Sequence, residues 1–285
     1  MISITALALI CPFNVLCWIL EPQKTNLDNL NSDNTACEYV LGILTIPEHF
    51  HLRKFARESW IRELPENVCY LYLYDKQSYI AANESYDGIS LNASYTGRAV
   101  RFGEKLFLFY QYVYKNINLK YVKFIVKMDD DVVLCPKKLF EYLKAANMSL
   151  TVYAGWLHTF REPKFKYHKV GMLKRADEFF VILGLRLIER IATKIYCNGT
   201  NRALCDSKSQ LFDTNYGGTS LGVWLSDMKD LQIIPLNKIV PSRGHIHDMG
   251  RYFIYHPTKT VDIAKERYDG CWRRRIDQRS IGMFY

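Results

Sequence analysis

The sequence predicts an α/β fold with a mostly parallel central sheet flanked by helices, and three observations carry that prediction. Apolar runs of strand length alternate with stretches whose apolar residues recur at helical spacing, the order of consecutive β-α-β units. The strand-length runs are apolar nearly throughout, as in strands buried within a sheet. Three consecutive acids, Asp129-Asp130-Asp131, follow one of these runs directly. That places them at the carboxyl edge of the sheet, where α/β folds gather their ligands.

Taken from the amino terminus, Ile2 to Leu20 is an apolar stretch broken only by Ser3, Thr5, Pro12 and Asn14, and the first charges lie within Glu21 to Lys24. Its length is close to the roughly 20 residues that span a bilayer, and longer than the usual apolar core of a cleaved signal peptide. Residues 1–20 are therefore expected to be a signal anchor, with a cleaved signal peptide as the alternative. Pro12 and Asn14 argue against a buried core helix. Residues 21–36 are rich in Asn, Asp, Thr and Ser and read as a polar stem. Residues 37–285 carry globular patterning with no second linker and no repeat, and form one expected lumenal domain.

Within that domain, Tyr39 to Ile46 reads as a buried strand, His51 to Glu63 as a helix, and Val68 to Tyr74 as a second strand. Phe102, Leu106, Phe109 and Val113 mark a helix between Arg98 and Lys115. Tyr121 to Met128 is another buried strand, and Pro136 opens the helix running through Tyr142. Six cysteines lie beyond the apolar segment: Cys37, Cys69, Cys135, Cys197, Cys205 and Cys271. An even number suits disulfides in an oxidising compartment, and their spacing is unlike that of a zinc site. Glycosylation triplets occur at Asn83, Asn92, Asn147 and Asn198.

The acid triplet carries the most chemistry. Adjacent carboxylates raise one another's pKa unless a cation shares them. Mg²⁺ or Mn²⁺ takes hard oxygen ligands and bridges phosphate oxygens, so these acids with a diphosphate make a coordination sphere. The competing reading is an acidic turn that caps the following helix. A formal charge of +9, from 38 basic and 29 acidic residues, suits an anionic ligand. The apolar leader and the glycosylation triplets argue against a nucleic-acid-binding protein, despite Arg273-Arg274-Arg275.

Four pieces occur in order: Arg53-Lys54-Phe55-Ala56-Arg57-Glu58-Ser59-Trp60, then Glu84-Ser85-Tyr86-Asp87-Gly88-Ile89 with Ser94-Tyr95, then Lys127-Met128-Asp129-Asp130-Asp131-Val132, and His245 in Ser242-Arg243-Gly244-His245. Through them the chain resembles, over residues 39–250, the β-1,3-glycosyltransferase family of galactosyl- and N-acetylglucosaminyltransferases. The resemblance implies a GT-A-like fold, a UDP-sugar donor, Mn²⁺ or Mg²⁺, a glycoprotein or glycolipid acceptor, and inversion at the anomeric carbon. It also implies a single-pass type II Golgi membrane protein. Asp131 and His245 would hold the metal, and Arg57, Asp129 and Asp130 would line the donor site. Arg53 and Arg57 could instead lie on a solvated helix face; Trp60 reads as core; His247 rivals His245.

One part of the family pattern is missing. An inverting transferase needs a base for the acceptor hydroxyl, and the family's acidic pair falls here on Gly217-Gly218. Asp213 is the nearest substitute in sequence, and Asp177 or Glu178 could approach from the preceding segment. An active transferase and a catalytically impaired relative that binds a nucleotide sugar or assists a partner transferase are the two expectations.

Overall fold

A computed structural model of the chain describes residues 37–75, 87–93, 102–160, 173–197, 210–212, 217–237 and 252–272. The apolar leader and the polar stem lie outside these residues. Among the described residues, no helix is long and apolar enough to cross a membrane.

The elements run β1 (Tyr39–Leu44), α1 (Phe50–Glu58), β2 (Val68–Asp75), β3 (Gly88–Leu91), α2 (Phe102–Asn116), β4 (Phe124–Asp129), β5 (Val133–Leu134) and α3 (Pro136–Ala145). They continue with β6 (Val152–Phe160), β7 (Leu173–Gly184), α4 (Leu185–Ala192), β8 (Ile195–Cys197), β9 (Gln210–Phe212), α5 (Gly217–Trp224), β10 (Gln232–Pro235), β11 (Ile254–Tyr255) and α6 (Val261–Trp272). Seven strands form one sheet in the order β10-β6-β7-β4-β1-β2-β3. Its pairs are parallel except where β7 runs antiparallel to both β4 and β6. The α/β fold with a mostly parallel sheet is therefore the one the sequence predicts.

Helices cover both faces. Tyr39, Leu41 and Ile43 of β1, with Phe124, Val126 and Met128 of β4, pack against α1, α3 and α6 through Phe55, Leu139, Phe140, Leu143 and Ala264. On the other face Val40, Leu71 and Ile125 meet α2, α4 and α5 through Leu106, Phe109, Val113, Leu187, Ile188 and Leu221. Burial on both sides is why every residue of β1 is buried and why the strand reads as an unbroken apolar run. Gly42 makes the packing possible, because a Cβ there would lie 2.3 Å from the Phe109 ring.

Element ends differ from the sequence reading in several places, among them the strand expected from Tyr121, which begins at Phe124, and the helix read through Tyr142, which runs to Ala145. The first strand stops at Leu44, since Pro47 opens a 3-10 turn and Thr45 and Ile46 serve the site described below. The helix expected over 51–63 is α1 followed by a separate 3-10 turn, Trp60–Glu63. Ser59 divides them: its backbone leaves helical geometry and its hydroxyl donates to the Phe55 carbonyl at 2.6 Å. Trp60, 1% exposed, is the core anchor expected of it.

Disulfides Cys37–Cys69 and Cys135–Cys271 sort four of the six downstream cysteines. The first joins the starts of β1 and β2. The second ties α6 to the residue that precedes α3, just beyond the acid triplet.

Candidate metal centre

The site begins where β4 ends. Leu44 of β1 pairs with Asp129, and the Asp130 N–H still donates to the Leu44 carbonyl at 3.0 Å. The chain then turns, with Val132 N–H donating to the Asp129 carbonyl. A turn sends three successive side chains in different directions, and each acid here has different neighbours.

Asp130 faces the loop after β1. The Thr45 hydroxyl donates to its Oδ2 at 2.5 Å, and His49 Nδ1 lies 2.9 Å from the same oxygen and 3.0 Å from Oδ1. Burial pushes the Asp130 carboxyl up, against the lowering pull of its Thr45 and His49 hydrogen bonds. Arg53 fixes this loop by donating to Thr45 Oγ1 at 2.9 Å, to the Ile46 carbonyl at 2.5 Å and to the Pro47 carbonyl at 3.2 Å. At 2% exposure Arg53 is a buried clamp, which excludes the solvated helix face considered for it.

Asp131 faces the C-terminal module. Short strands β5 and β11 pair antiparallel, Val133 with Tyr255 and Leu134 with Ile254, so the next residue, His256, comes alongside Asp131. His256 Nε2 lies 3.4 Å from Asp131 Oδ1. Thr258 secures the approach, its N–H and hydroxyl donating to the Asp131 carbonyl at 2.8 and 2.7 Å. The His256 ring stacks on Phe179 of β7, centroids 4.4 Å apart and planes 5° from parallel. Although burial raises it, the Asp131 carboxyl lies below its usual value, held there by the His256 hydrogen bond and the nearby His256 and His49 charges.

Asp129 meets Lys127, whose Nζ donates to Asp129 Oδ1 at 2.6 Å and also to the Glu178 carbonyl. Lys127 is 2% exposed, so a buried ammonium holds this carboxylate in place while β7 supplies its second acceptor.

Asp129, Asp131 and His256 are together a candidate metal centre: their ligand atoms lie within 4.8 Å of one another, and all three residues are half-buried. Two carboxylates and one imidazole suit Mn²⁺, and Mg²⁺ with more retained water. A divalent cation held by these residues would supply the positive charge that offsets a bound polyanion. The capping alternative for the triplet falls away. The N-cap of α3 is Cys135, well past the acids, and its side chain makes no capping hydrogen bond.

The sequence-predicted residues divide accordingly. Asp129 and Asp131 come together, and Asp130 is turned toward Thr45 and His49. Arg57 donates from Nε and Nη2 to both oxygens of Asp87, at 2.9 and 2.8 Å, and its guanidinium lies over the Tyr72 ring. His245, its rival His247, Asp213, and the sequon residues Asn83 and Asn198 lie outside the described residues. Asn92 and Asn147 are exposed, as a glycan acceptor must be. The sequence reading missed His256 and gave Lys127 no role. The residues around His256 hold no recognisable signal, because it joins the site by pairing with a strand more than a hundred positions earlier.

No protein-family model and no curated protein matches the chain. Among solved structures it is similar to a glycosyltransferase involved in the glycosylation of the major capsid of PBCV-1. The two are 10% identical with a TM-score of 0.45, over 81% of this chain and 98% of that one. It is also similar to mouse xyloside xylosyltransferase 1 in its apo form, 10% identical with a TM-score of 0.37, over 77% of this chain and 96% of that one. Both are loose likenesses, and what the site can do follows from its own residues.

Proposed function

We propose that this chain is a metal-dependent glycosyltransferase with a GT-A-like fold. It transfers a hexose or N-acetylhexosamine from a UDP-sugar to a glycoprotein or glycolipid acceptor, in β-1,3 linkage and with inversion. The observation that carries the reading is the grouping of Asp129, Asp131 and His256 at the carboxyl edge of a mostly parallel sheet, with Asp129 held by a buried lysine. That is a donor set for a hard cation at the place where α/β folds receive ligands. The ordered motifs from Arg53 to Asp131 support the finer assignment of sugar class and linkage.

Two disulfides and two exposed sequon asparagines support an oxidising lumen as its working compartment. With residues 1–20 as anchor, the reading is a type II Golgi membrane protein. Incubating the purified lumenal domain with Mn²⁺, a panel of UDP-hexoses and UDP-N-acetylhexosamines, and glycan acceptors tests the proposal. It predicts release of UDP that a chelator abolishes; no release with any donor, together with no binding of UDP, contradicts it.

The second reading, a donor-binding relative without turnover, is favoured by one observation. Gly218, in the first turn of α5, has no space for a side chain, since a Cβ there would lie 2.1 Å from the Ala176 carbonyl oxygen. Metal-dependent UDP binding without turnover is its signature.

A further inference from the structure

Opposite Gly218 stands a carboxylate from a different element. Between the pairs Gly155 with Val181 and Leu157 with Ala176, β6 has one residue, Trp156, where β7 has Asp177 to Phe180. β7 therefore bulges beside the end of β4, and a bulge of this kind re-aims side chains. Asp177 is turned to His158, 3.1 Å from its Nε2. Glu178 is turned to α5, where its Oε1 accepts the Gly218 N–H at 3.1 Å. Among the described residues Glu178 Oε2 has no hydrogen bond from protein, nor is it one of the buried atoms without a partner.

The position of Glu178 is fixed on both sides by the metal centre. Its own carbonyl accepts from Lys127, which also holds Asp129. The next residue, Phe179, carries the His256 ring. The carboxylate thus stands near Asp129 of the candidate metal centre, with one oxygen anchored at the start of α5 and the other available.

We infer that Glu178 is the base that takes the acceptor's proton, delivered from the β7 bulge to the place where an acid on α5 would stand. This rests on the donor-site reading proposed above. In the step, the acceptor's O–H bond breaks and the proton passes to a Glu178 oxygen while the acceptor oxygen bonds to the anomeric carbon. The bond from that carbon to the diphosphate breaks, and its electron pair leaves with UDP. Gly218 has its own part: without a side chain it lets α5 approach β7 closely enough for its N–H to reach Glu178. Burial raises the Glu178 carboxyl, opposed by Lys127, the Gly218 N–H and Arg175 and assisted by Asp129; Tyr153 also faces it. A base benefits from a pKa moved toward the working pH.

The test is Glu178→Gln, which keeps an oxygen to accept the Gly218 N–H. Three readouts are needed: Mn²⁺-dependent UDP binding by calorimetry, UDP release from the same sugar panel, and the pH profile of kcat/KM. The inference expects UDP affinity within about twofold of wild type, turnover lower by about 100-fold or more, and loss of the profile's acidic limb. Turnover within a few-fold of wild type overturns it, as does a wild-type chain that binds Mn²⁺ and UDP without turning over any donor. Either result leaves the metal-diphosphate site standing. If the wild-type chain does not bind UDP with Mn²⁺, the underlying reading fails and the inference fails with it.

Discussion

Arg57→Ala separates a structural role from a donor-binding one. Arg57 spans from α1 to Asp87, just before β3, in a bidentate pair whose side chains are 15% and 0% exposed, and the Tyr70 hydroxyl adds a bond to Asp87 at 3.0 Å. Truncating the arginine leaves a carboxylate with no access to water and, among the described residues, only the Tyr70 hydroxyl donating to it. Breaking a buried pair from one side costs about 3–5 kcal/mol, because the remaining charge is uncompensated. Against a total stability of about 5–15 kcal/mol that is a large share. At roughly 2–4 °C per kcal/mol for a domain of this size, the melting midpoint should fall by about 6–20 °C. Arg57→Lys keeps the charge without the fork and should fall between. Calorimetric melting of residues 37–285 measures the loss, with UDP binding measured on the folded fraction. A loss below about 1 kcal/mol, or weakened UDP binding at unchanged stability, refutes the reasoning and makes Arg57 a donor-site residue.

Three further outcomes follow from the same geometry. Replacing Cys135 and Cys271 by alanine should cost about 2–5 kcal/mol. It should also weaken Mn²⁺ binding by calorimetry, since that bond ties α6 beside the β5–β11 pair that carries His256; unchanged affinity would mean the pair alone positions the histidine. Gly218→Ala should destabilise by about 1–3 kcal/mol in urea unfolding, although helix propensity alone predicts a gain of about 0.5–1 kcal/mol, because the new Cβ must displace the Ala176 carbonyl. For Glu178→Gln the prediction concerns pH. The folded carboxyl titrates above its unfolded value, so its contribution to stability is full below the unfolded pKa and is lost as pH rises through the folded one. The variant lacks that loss, so its melting midpoint relative to wild type should rise as pH climbs above the ordinary glutamate range; a difference that stays flat contradicts the shift.

What the sequence made legible is what local pattern encodes. β1, β2 and β4 are apolar because both sheet faces are covered, and α2 and α3 announce themselves by spacing and by Pro136. The acids at the end of β4 were legible for the same reason, as a polar cluster directly after a buried run. The remainder is long-range. Nothing near His256 says that Tyr255 pairs with Val133, and nothing near Arg57 says that its partner is Asp87. Lys127 sits in an apolar strand where its charge looks like an exception, and only the β7 carbonyl and Asp129 explain it. Gly218 reads as a lost acid in sequence; in space it is the room that the Ala176 carbonyl occupies. The expected helix over 51–63 failed at Ser59, whose hydroxyl competes for the helix's own carbonyl, a choice that helical spacing does not reveal.

In the proposed function, Asp129, Asp131 and His256 hold one divalent cation that in turn holds a diphosphate. Calorimetric titration of UDP into a protein spanning residues 37–285, with and without Mn²⁺, tests it in wild type, Asp131→Ala and His256→Ala. Metal-dependent UDP binding is expected in the wild type, with a loss of at least about tenfold in each variant and Mn²⁺ affinity falling in parallel. UDP binding that ignores Mn²⁺, or that survives both substitutions unchanged, contradicts it.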